Sequence, residues 1–332
     1  MGKSSRTATR TLLLVGVMLA CGVGISTSAS SKLSAGVAAF PRGGKVIAVT
    51  RIPPGVPGFG GIGVGEGAVW VVSGGVPTLS RIDPERNAVI EKFKVKQAGG
   101  LAVGEGAVWV SHPLDDVVSR VDPRTNSVVA TIHVGAQPEG VAVSPGAIWI
   151  ANVRGSSVSR IDPATNQVVA TIKVGPAGAC CPDHMSLTAG TGSVWVTLPS
   201  LHALVRIDPA KNAVVATVRV GTEPCGFVVA GPRMVWVSGA HCTSAVAAVD
   251  PRTNRAAGKV TSLVAPIGLG VASGSLWVAD LDSKAIDRVN ERTRRVIGRL
   301  RVGGFPVRLA TGFGSVWVED DTGRVLRVRP QR

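Results

Sequence analysis

Tryptophan recurs along this chain at a nearly fixed interval, and that interval constrains the fold more than any other feature. The 332-residue chain contains seven tryptophans and no tyrosine. Successive tryptophans are 39 to 46 residues apart, and they are Trp70, Trp109, Trp149, Trp195, Trp236, Trp277 and Trp317. Each lies between two aliphatic residues. A period of about 40 residues is typical of architectures in which every repeat forms one supersecondary unit.

The third repeat shows what such a unit contains. Four short runs rich in Val, Ile and Thr are separated by Gly, Pro, Asn and Asp, and they cover residues 140–143, 147–150, 157–161 and 168–174. This pattern indicates strands joined by tight turns. No run has the apolar spacing of a helix. Four strands in about 40 residues predict a propeller blade, so we predict an all-β, seven-bladed β-propeller of four-stranded antiparallel blades.

A recurrent turn joins the third and fourth predicted strands. It reads Asp-Pro-x-x-Asn and begins at Asp83, Asp122, Asp162, Asp208 and Asp250. Proline presets φ for the second turn position, and asparagine tolerates the left-handed conformation. We interpret this turn as a structural hairpin rather than as a site.

Closure of the ring is predicted from the two ends of the repeat region. The last repeat lacks a fourth strand after Pro330, whereas residues 46–52 match the fourth strand of the third repeat. A strand from the N-terminal side can complete the last blade and remove a free edge. We therefore expect one propeller domain at residues 43–332.

The segment before the repeats has the pattern of an export signal. Lys3, Arg6 and Arg10 precede an apolar run over residues 12–25, which is short for a membrane span. We predict a signal peptide at 1–29, cleaved near Ala29, and a flexible tether at 30–42. Alternatively, Cys21 is the lipidated residue of a lipoprotein. Both versions place the protein outside the cell or in the cell envelope.

The formal net charge of +15 indicates attraction to anionic surfaces such as cell-wall polymers. Part of that charge is periodic and therefore interpreted as structural; these residues are Arg81, Arg120, Arg160, Arg206, Arg288 and Arg327. We expect no nucleic-acid binding, because the tryptophans belong to strands rather than to an exposed stacking platform.

Strand alternation divides the predicted ring into two faces. The Asp-Pro turns lie on one face, here called the turn face. Loops between second and third strands, together with the connections between blades, lie on the other, the loop face. Most chemically distinctive residues fall on the loop face, including His112, His184, His202, His241, Cys180, Cys181, Cys225, Cys242, Glu139, Glu223 and Glu319. A functional site is expected on this face, around the long interval between Trp149 and Trp195.

Two interpretations of the Cys/His cluster stay open. In an oxidising compartment the four cysteines could form two disulfides, with three possible connectivities. Alternatively, thiolate and imidazole groups could bind zinc or copper, and the ligands would be Cys181, His184, Cys225, His241 and Cys242. The tight ligand spacings of structural zinc sites are absent from the sequence, as are the usual nucleophile and phosphate-loop motifs.

The repeat resembles two known families. Residues 149–152, followed by 158–166 and 168–175, resemble the YVTN-type β-propeller repeat, which implies an exported binding module. The Trp and Arg pattern is also similar to the streptogramin (virginiamycin B) lyases. That resemblance implies ester elimination with a histidine base and Mg²⁺ on the loop face. His184 is the only histidine in the corresponding Pro-His position; His241 and Glu223 would have to supply the remaining catalytic groups.

We therefore expect an exported, non-enzymatic propeller that binds a ligand through the loop face. The expected partner is a protein, a glycan or an anionic cell-wall polymer, and we expect a monomer without a cofactor. The alternatives are a metal-dependent lyase and a metal-binding or redox propeller.

Overall fold

A computed structural model describes residues 44–53, 60–73, 76–176, 184–221, 223–239 and 242–331. Within these ranges the chain forms seven four-stranded antiparallel sheets. The inner strands of successive sheets contact one another around a closed ring, so the predicted seven-bladed propeller is confirmed. The predicted signal peptide and tether lie outside the described residues.

Each blade uses four consecutive strands, except the last, which combines three C-terminal strands with the first strand of the chain. Blades 1 to 4 contain β2 Gly60–Gly65, β3 Ala68–Ser73, β4 Thr78–Asp83, β5 Ala88–Lys94; β6 Leu101–Gly104, β7 Ala107–His112, β8 Val117–Asp122, β9 Ser127–His133; β10 Pro138–Ser144, β11 Ala147–Asn152, β12 Ser157–Asp162, β13 Gln167–Lys173; β14 Leu187–Gly190, β15 Ser193–Leu198, β16 Ala203–Asp208 and β17 Ala213–Arg219. Blades 5 to 7 contain β18 Val228–Ala230, β19 Val235–Ser238, β20 Val246–Asp250, β21 Arg255–Val260; β22 Pro266–Ala272, β23 Ser275–Asp280, β24 Ala285–Asn290, β25 Arg295–Arg301; β26 Pro306–Gly312, β27 Ser315–Asp320, β28 Arg324–Arg329 and β1 Lys45–Arg51.

The ring closes as predicted. Strand β1 pairs antiparallel with β28, in a register that runs from Lys45 opposite Arg329 to Arg51 opposite Arg324. The inner strand β26 of blade 7 contacts β2 of blade 1. The two ends of the propeller are thus hydrogen-bonded within one sheet. A single 3₁₀ turn, Pro199–Leu201, is the helical element in the described residues, and none of the helical structure described could span a membrane.

The tryptophans form the joints between blades. All seven are fully buried on the second strand of their blade. Trp70 of blade 1 shares a hydrophobic cluster with Val108 and Val110 of blade 2. Trp317 of blade 7 clusters with residues of blade 1. Burial of so large a side chain at each joint excludes the tryptophans from any binding surface, as the sequence predicts.

At five of the joints in the described residues, a periodic arginine connects the tryptophan to the turn of the next blade. Arg120 lies over the ring of Trp109, with its guanidinium carbon 5.3 Å from the ring centroid. Its Nη1 donates to the carbonyl oxygen of Pro163, at 2.7 Å, and to Asn166 Oδ1, at 2.8 Å. Those two acceptors belong to the Asp-Pro turn of the following blade. The same bonds recur for Arg81, Arg160, Arg206 and Arg327. The structural interpretation of these arginines is confirmed, and we call this arrangement the Arg–turn latch.

The joint between blades 5 and 6 departs from this pattern on both sides. Ala248 pairs with Trp236 where the other blades have arginine. In the turn of blade 6, Glu291 and Arg294 replace proline and asparagine. The buried carboxylate of Glu291 accepts a hydrogen bond from Trp236 Nε1 at 3.2 Å. The Nε atom of Arg294 lies 3.1 Å from the position of a Cβ built on Gly258 of blade 5. At this joint the charged groups therefore reach backwards, from blade 6 towards blade 5.

The Asp-Pro turns are held by the capping chemistry that their sequence predicts. Asp83 Oδ1 accepts hydrogen bonds from the backbone N–H groups of Glu85 and Arg86, at 2.7 and 3.0 Å. Asn87 adopts a φ of 53°. The backbone hydrogen bonds from Arg86 and Glu85 lower the pKa of Asp83 below its ordinary value. These hydrogen bonds are made within the turn. The asparagine side chain and the proline carbonyl oxygen are the groups that accept hydrogen bonds from the arginine of the preceding blade.

Candidate functional site

A cavity of about 230 Å³ lies where the inner strands of the blades begin. Its wall is mostly glycine and aliphatic side chains. Five residues with larger or polar side chains interrupt that wall, and they are Glu139, His184, Ser186, Phe227 and Arg308. The cavity is smaller than the roughly 300–1,000 Å³ typical of pockets for drug-sized ligands. It can therefore hold a small molecule or one end of a larger one.

The glycines of this wall are required by packing between blades. A Cβ built on Gly61 would lie 2.8 Å from the backbone nitrogen of Leu101 in the next blade. A Cβ on Gly268 would lie 2.5 Å from the carbonyl oxygen of Val307. Real Cβ atoms do not approach so closely, so these positions need glycine for the ring to close. The glycines make the cavity wide but do not by themselves indicate a ligand.

Glu139 and His184 form a hydrogen-bonded pair at the cavity wall. Nδ1 of His184 lies 3.1 Å from Oε2 of Glu139, and the Glu139 residue is only 4% exposed. An ionised carboxylate can only accept a hydrogen bond, so Nδ1 carries the proton. This tautomer leaves Nε2 of a neutral His184 as an acceptor. The Phe227 ring packs edge-on against the imidazole, with centroids 5.4 Å apart, and limits its rotation.

Arg308 and Glu319 form a second pair, in blade 7. Both side chains are nearly buried, and Nη1 of Arg308 lies 3.3 Å from Oε2 of Glu319. Burial raises the pKa of Glu319 to about 7, although the neighbouring Arg308 opposes the shift. The positively charged Arg308 therefore lines the cavity, and the carboxyl group beside it, that of Glu319, has a raised pKa.

The site residues predicted from the sequence do not all lie at the cavity. His184 lies in the cavity wall, and its predicted functional role stays a prediction. Glu223 lies with the sulfur atoms of Cys225 and Cys242, all within 4.8 Å of one another. Cys181 and His241 lie outside the described residues. The carboxylate that contacts His184 is thus Glu139, which the sequence places on the loop face but does not pair with His184.

Cys225 and Cys242 are joined in a disulfide, with Cα atoms 6.2 Å apart and a sequence separation of 17 residues. This bond is one of those allowed by the interpretation of the cysteines as disulfides. Cysteine binds zinc or copper as a thiolate, and in this disulfide neither Cys225 nor Cys242 is a thiolate. The predicted metal site of Cys181, His184, Cys225, His241 and Cys242 is therefore not formed as a five-residue set with this disulfide in place, and a site in the reduced protein stays a prediction. The proximity of Glu223 reflects the disulfide rather than a bound ion.

His112 lies at the loop-face end of its blade but has a structural role. It ends strand β7 and is fully buried. Its Nε2 lies 2.8 Å from Ser119 Oγ, and its Nδ1 lies 3.2 Å from the carbonyl oxygen of Gln97. Burial lowers its pKa. His112 is therefore a satisfied core histidine.

Phe227 and Arg308 line the cavity but belong to no motif that the sequence reveals. Both lie nine residues before the tryptophan of their blade, where four other blades have glycine. The glycines at that position are Gly61, Gly100, Gly140 and Gly268. An alignment of the repeats on tryptophan would have revealed these two large side chains in a ring of small ones.

Comparisons with known proteins support the fold. No protein-family profile matches the chain, and no curated protein is a recognisable relative by sequence. A streptogramin B lyase structure superposes with a TM-score of 0.73 at 15% identity, covering 85% of this chain and 97% of that one. Virginiamycin B lyase from Staphylococcus aureus gives 0.71 at 14% identity, covering 85% and 99%.

BamB from Moraxella catarrhalis is also similar, with a TM-score of 0.59 at 13% identity and coverage of 86% of this chain and 97% of that one. At such low identities these likenesses show a common seven-bladed propeller and nothing more specific. Membership of the YVTN-type repeat family stays a prediction.

Proposed function

We propose that this protein is an exported binding module whose ligand enters the cavity from the loop face. The observation that carries this proposal is the break in the repeat around the cavity. Blades 1, 2 and 6 contribute only glycine or aliphatic groups there, whereas Glu139, His184, Phe227 and Arg308, from the other four blades, contribute charge, hydrogen bonding and an aromatic face. A mostly apolar cavity into which a few polar groups converge is typical of ligand sites.

A binding panel tests this proposal. Short peptides, oligosaccharides and polyglutamate, as an anionic polymer, would be titrated against the purified propeller by calorimetry. We expect at least one class to bind and its affinity to fall at least tenfold in His184→Ala or Phe227→Ala.

Arg124→Ala and Arg252→Ala provide matched controls on the turn face, because both side chains are highly exposed. Their affinities should equal that of the unchanged protein. Binding that depends on the turn-face arginines and not on His184 or Phe227 would contradict the proposal.

Export rests on the Cys225–Cys242 disulfide together with the basic and apolar N-terminal sequence. Disulfides persist in oxidising compartments and are rare in the cytosol. Cell fractionation should place the protein outside the cytoplasm. Mass spectrometry of its N-terminus should then separate cleavage near Ala29 from lipidation at Cys21, and a cytosolic protein with an intact Met1 would exclude both.

A lyase is the second candidate, and the Glu139–His184 pair favours it. A buried carboxylate that fixes Nδ1 as the donor leaves Nε2 able to abstract a proton. The pair therefore has the arrangement of a general base and its orienting group. Mass spectrometry should detect a linearised product when the protein is incubated with a type B streptogramin and Mg²⁺. No product, or equal product from His184→Ala, would remove this candidate.

A further inference from the structure

The cavity carries opposite charges on opposite sides of the ring. Glu139 and His184 belong to blades 3 and 4, whereas Arg308 belongs to blade 7. In a ring of seven blades, blade 7 lies across the channel from blades 3 and 4. All three residues line the same cavity. A ligand in this cavity is therefore presented with an acceptor pole and a donor pole.

Arg308 has more donors than the protein uses. Its one hydrogen bond within the described part of the chain is the 3.3 Å contact with Glu319. Its Nε atom is buried and finds no acceptor among the described residues. A guanidinium offers five N–H donors, and a buried donor without a partner is destabilising.

Arg299 of blade 6 and Arg324 of blade 7 show what full pairing looks like. Arg299 donates from Nε and Nη2 to the two oxygens of Asp287, at 2.7 and 3.0 Å. Arg324 donates from Nε to Asp320 at 2.7 Å and forms an ion pair with it through Nη2. Arg308 has no such fork-like partner among the residues that the structure describes. A carboxylate is the group that matches the free edge of a guanidinium.

Glu319 does not neutralise Arg308 effectively. Its pKa is raised to about 7 by burial, so near neutral pH a large share of its carboxyl groups is protonated. A protonated Glu319 leaves the positive charge of Arg308 available to a ligand. This property supports the donor pole that the geometry defines.

The opposite pole has unused acceptors. Gln137 Nε2 lies 3.5 Å from Glu139 Oε1. Gln137 is itself buried, and its Oε1 has no donor among the described residues. Among the described residues, the Glu139 carboxylate accepts only this weak contact and the bond from His184. A buried carboxylate with spare lone pairs favours a cationic donor such as an ammonium group.

We propose that the cavity binds a small zwitterion of the dipeptide class, with its carboxylate on Arg308 and its ammonium on Glu139. This inference rests on the proposed function and specifies its ligand. An extended dipeptide separates its two charges by about 7 Å. A molecule of that size suits a cavity of about 230 Å³.

Calorimetry with three related probes tests the two poles separately. The probes are alanyl-alanine, its N-acetyl derivative and its C-terminal amide. Loss of a charge-assisted hydrogen bond corresponds to roughly tenfold or more in affinity. We therefore expect alanyl-alanine to bind. The amide and the N-acetyl derivative should each bind with an affinity at least tenfold lower. Equal binding of all three, or no binding of alanyl-alanine, would overturn the inference.

Two variants in blade 7 should act in opposite directions. Arg308→Met removes the donor pole and should weaken alanyl-alanine at least tenfold, to the affinity of the amide. Glu319→Gln removes the competing carboxylate and should strengthen binding about threefold or more. If Arg308 and Glu319 had only a structural role, both substitutions would weaken binding, and that outcome would contradict the proposal. Should Arg308→Met fail to fold, Glu319→Gln and the three probes still decide the question.

The acceptor pole has its own variant. Glu139→Gln should weaken alanyl-alanine but leave the N-acetyl derivative unchanged, because the latter has no ammonium group. An equal loss for both probes would overturn the assignment of Glu139. If alanyl-alanine fails while another class from the wider panel binds in a His184-dependent manner, the zwitterion inference falls and the proposed function stands.

Discussion

The Arg–turn latch allows a quantitative prediction of what one joint contributes to stability. In Arg120→Ala, two hydrogen bonds from a charged donor to Pro163 and Asn166 are lost, along with the contact over Trp109. A hydrogen bond that involves a charged group contributes about 1.5–3 kcal/mol. A partly desolvated cation–π contact contributes about 1 kcal/mol. Because a flexible arginine loses conformational freedom when it is held, we expect a net decrease of about 3 kcal/mol in the free energy of unfolding.

Thermal unfolding followed by calorimetry measures this decrease. For domains of this size, 1 kcal/mol corresponds to roughly 2 °C in Tm, so Arg120→Ala should unfold about 6 °C lower. Arg124→Ala is the matched control, because Arg124 lies in the next turn along the chain, is highly exposed and pairs only with Asp122. Such exposed pairs contribute little to stability because water screens the two charges. If the two variants unfold within 1 °C of each other, the latch does not stabilise the joint and the reasoning is wrong.

Three further predictions concern pH, the disulfide and the glycine wall. Burial raises the pKa of Glu319 to about 7 and that of Asp287 to about 6, from 4.5 and 3.8; the folded protein therefore retains protons that the unfolded chain releases. The contribution of these two carboxyl groups to the free energy of unfolding should therefore fall as pH rises from about 4 to above 7, whereas that of His112, whose pKa burial lowers, should rise. Urea denaturation at pH 5 and pH 8 isolates the contribution of Glu319 when the unchanged protein is compared with Glu319→Gln; an identical pH dependence in the two would contradict the assignment. Cys225→Ser opens a loop of 17 residues and should cost about 3 kcal/mol, or roughly 6 °C in Tm. When reductant is added, the variant and the unchanged protein should have the same Tm. A difference in Tm that persists under reductant would exclude the disulfide as its cause. Gly268→Ala places a methyl group against Val307 and should cost about 1–3 kcal/mol through overpacking, as measured by chemical denaturation. A neutral effect would show that the blades are less closely packed than described.

The fold follows from the sequence because its determinants repeat. One tryptophan, one arginine and one Asp-Pro turn recur in most blades, so each copy confirms the interpretation of the others. The closing strand was predicted at residues 46–52 and is observed at Lys45–Arg51. Its pattern matched a fourth strand that already had several examples. Repetition thus makes both the number of blades and the ring closure readable from the sequence alone.

The candidate site was predicted only in part because its residues occur once each. His184 was identified because it lies in the longest interval between tryptophans. Its partner Glu139 lies in a regular repeat, and nothing in the local sequence distinguishes it from other loop-face acids. Arg308 is far away in the chain and reaches the same cavity only because the ring closes. Contacts between remote blades depend on three-dimensional position, which local patterns do not encode.

The reversed joint between blades 5 and 6 has a consequence for how the chain assembles. Proteins built from similar repeats are prone to misassembly, because one repeat can dock against the wrong neighbour. The Arg–turn latch is nearly the same at several joints and would tolerate an exchange of blades. Ala248 and Glu291 fit each other but not the standard partners: an arginine latch finds neither proline nor asparagine in the turn of blade 6. The mismatch distinguishes the joint between blades 5 and 6 from the five joints that carry the latch, and it therefore favours a single order of blades during assembly of the ring.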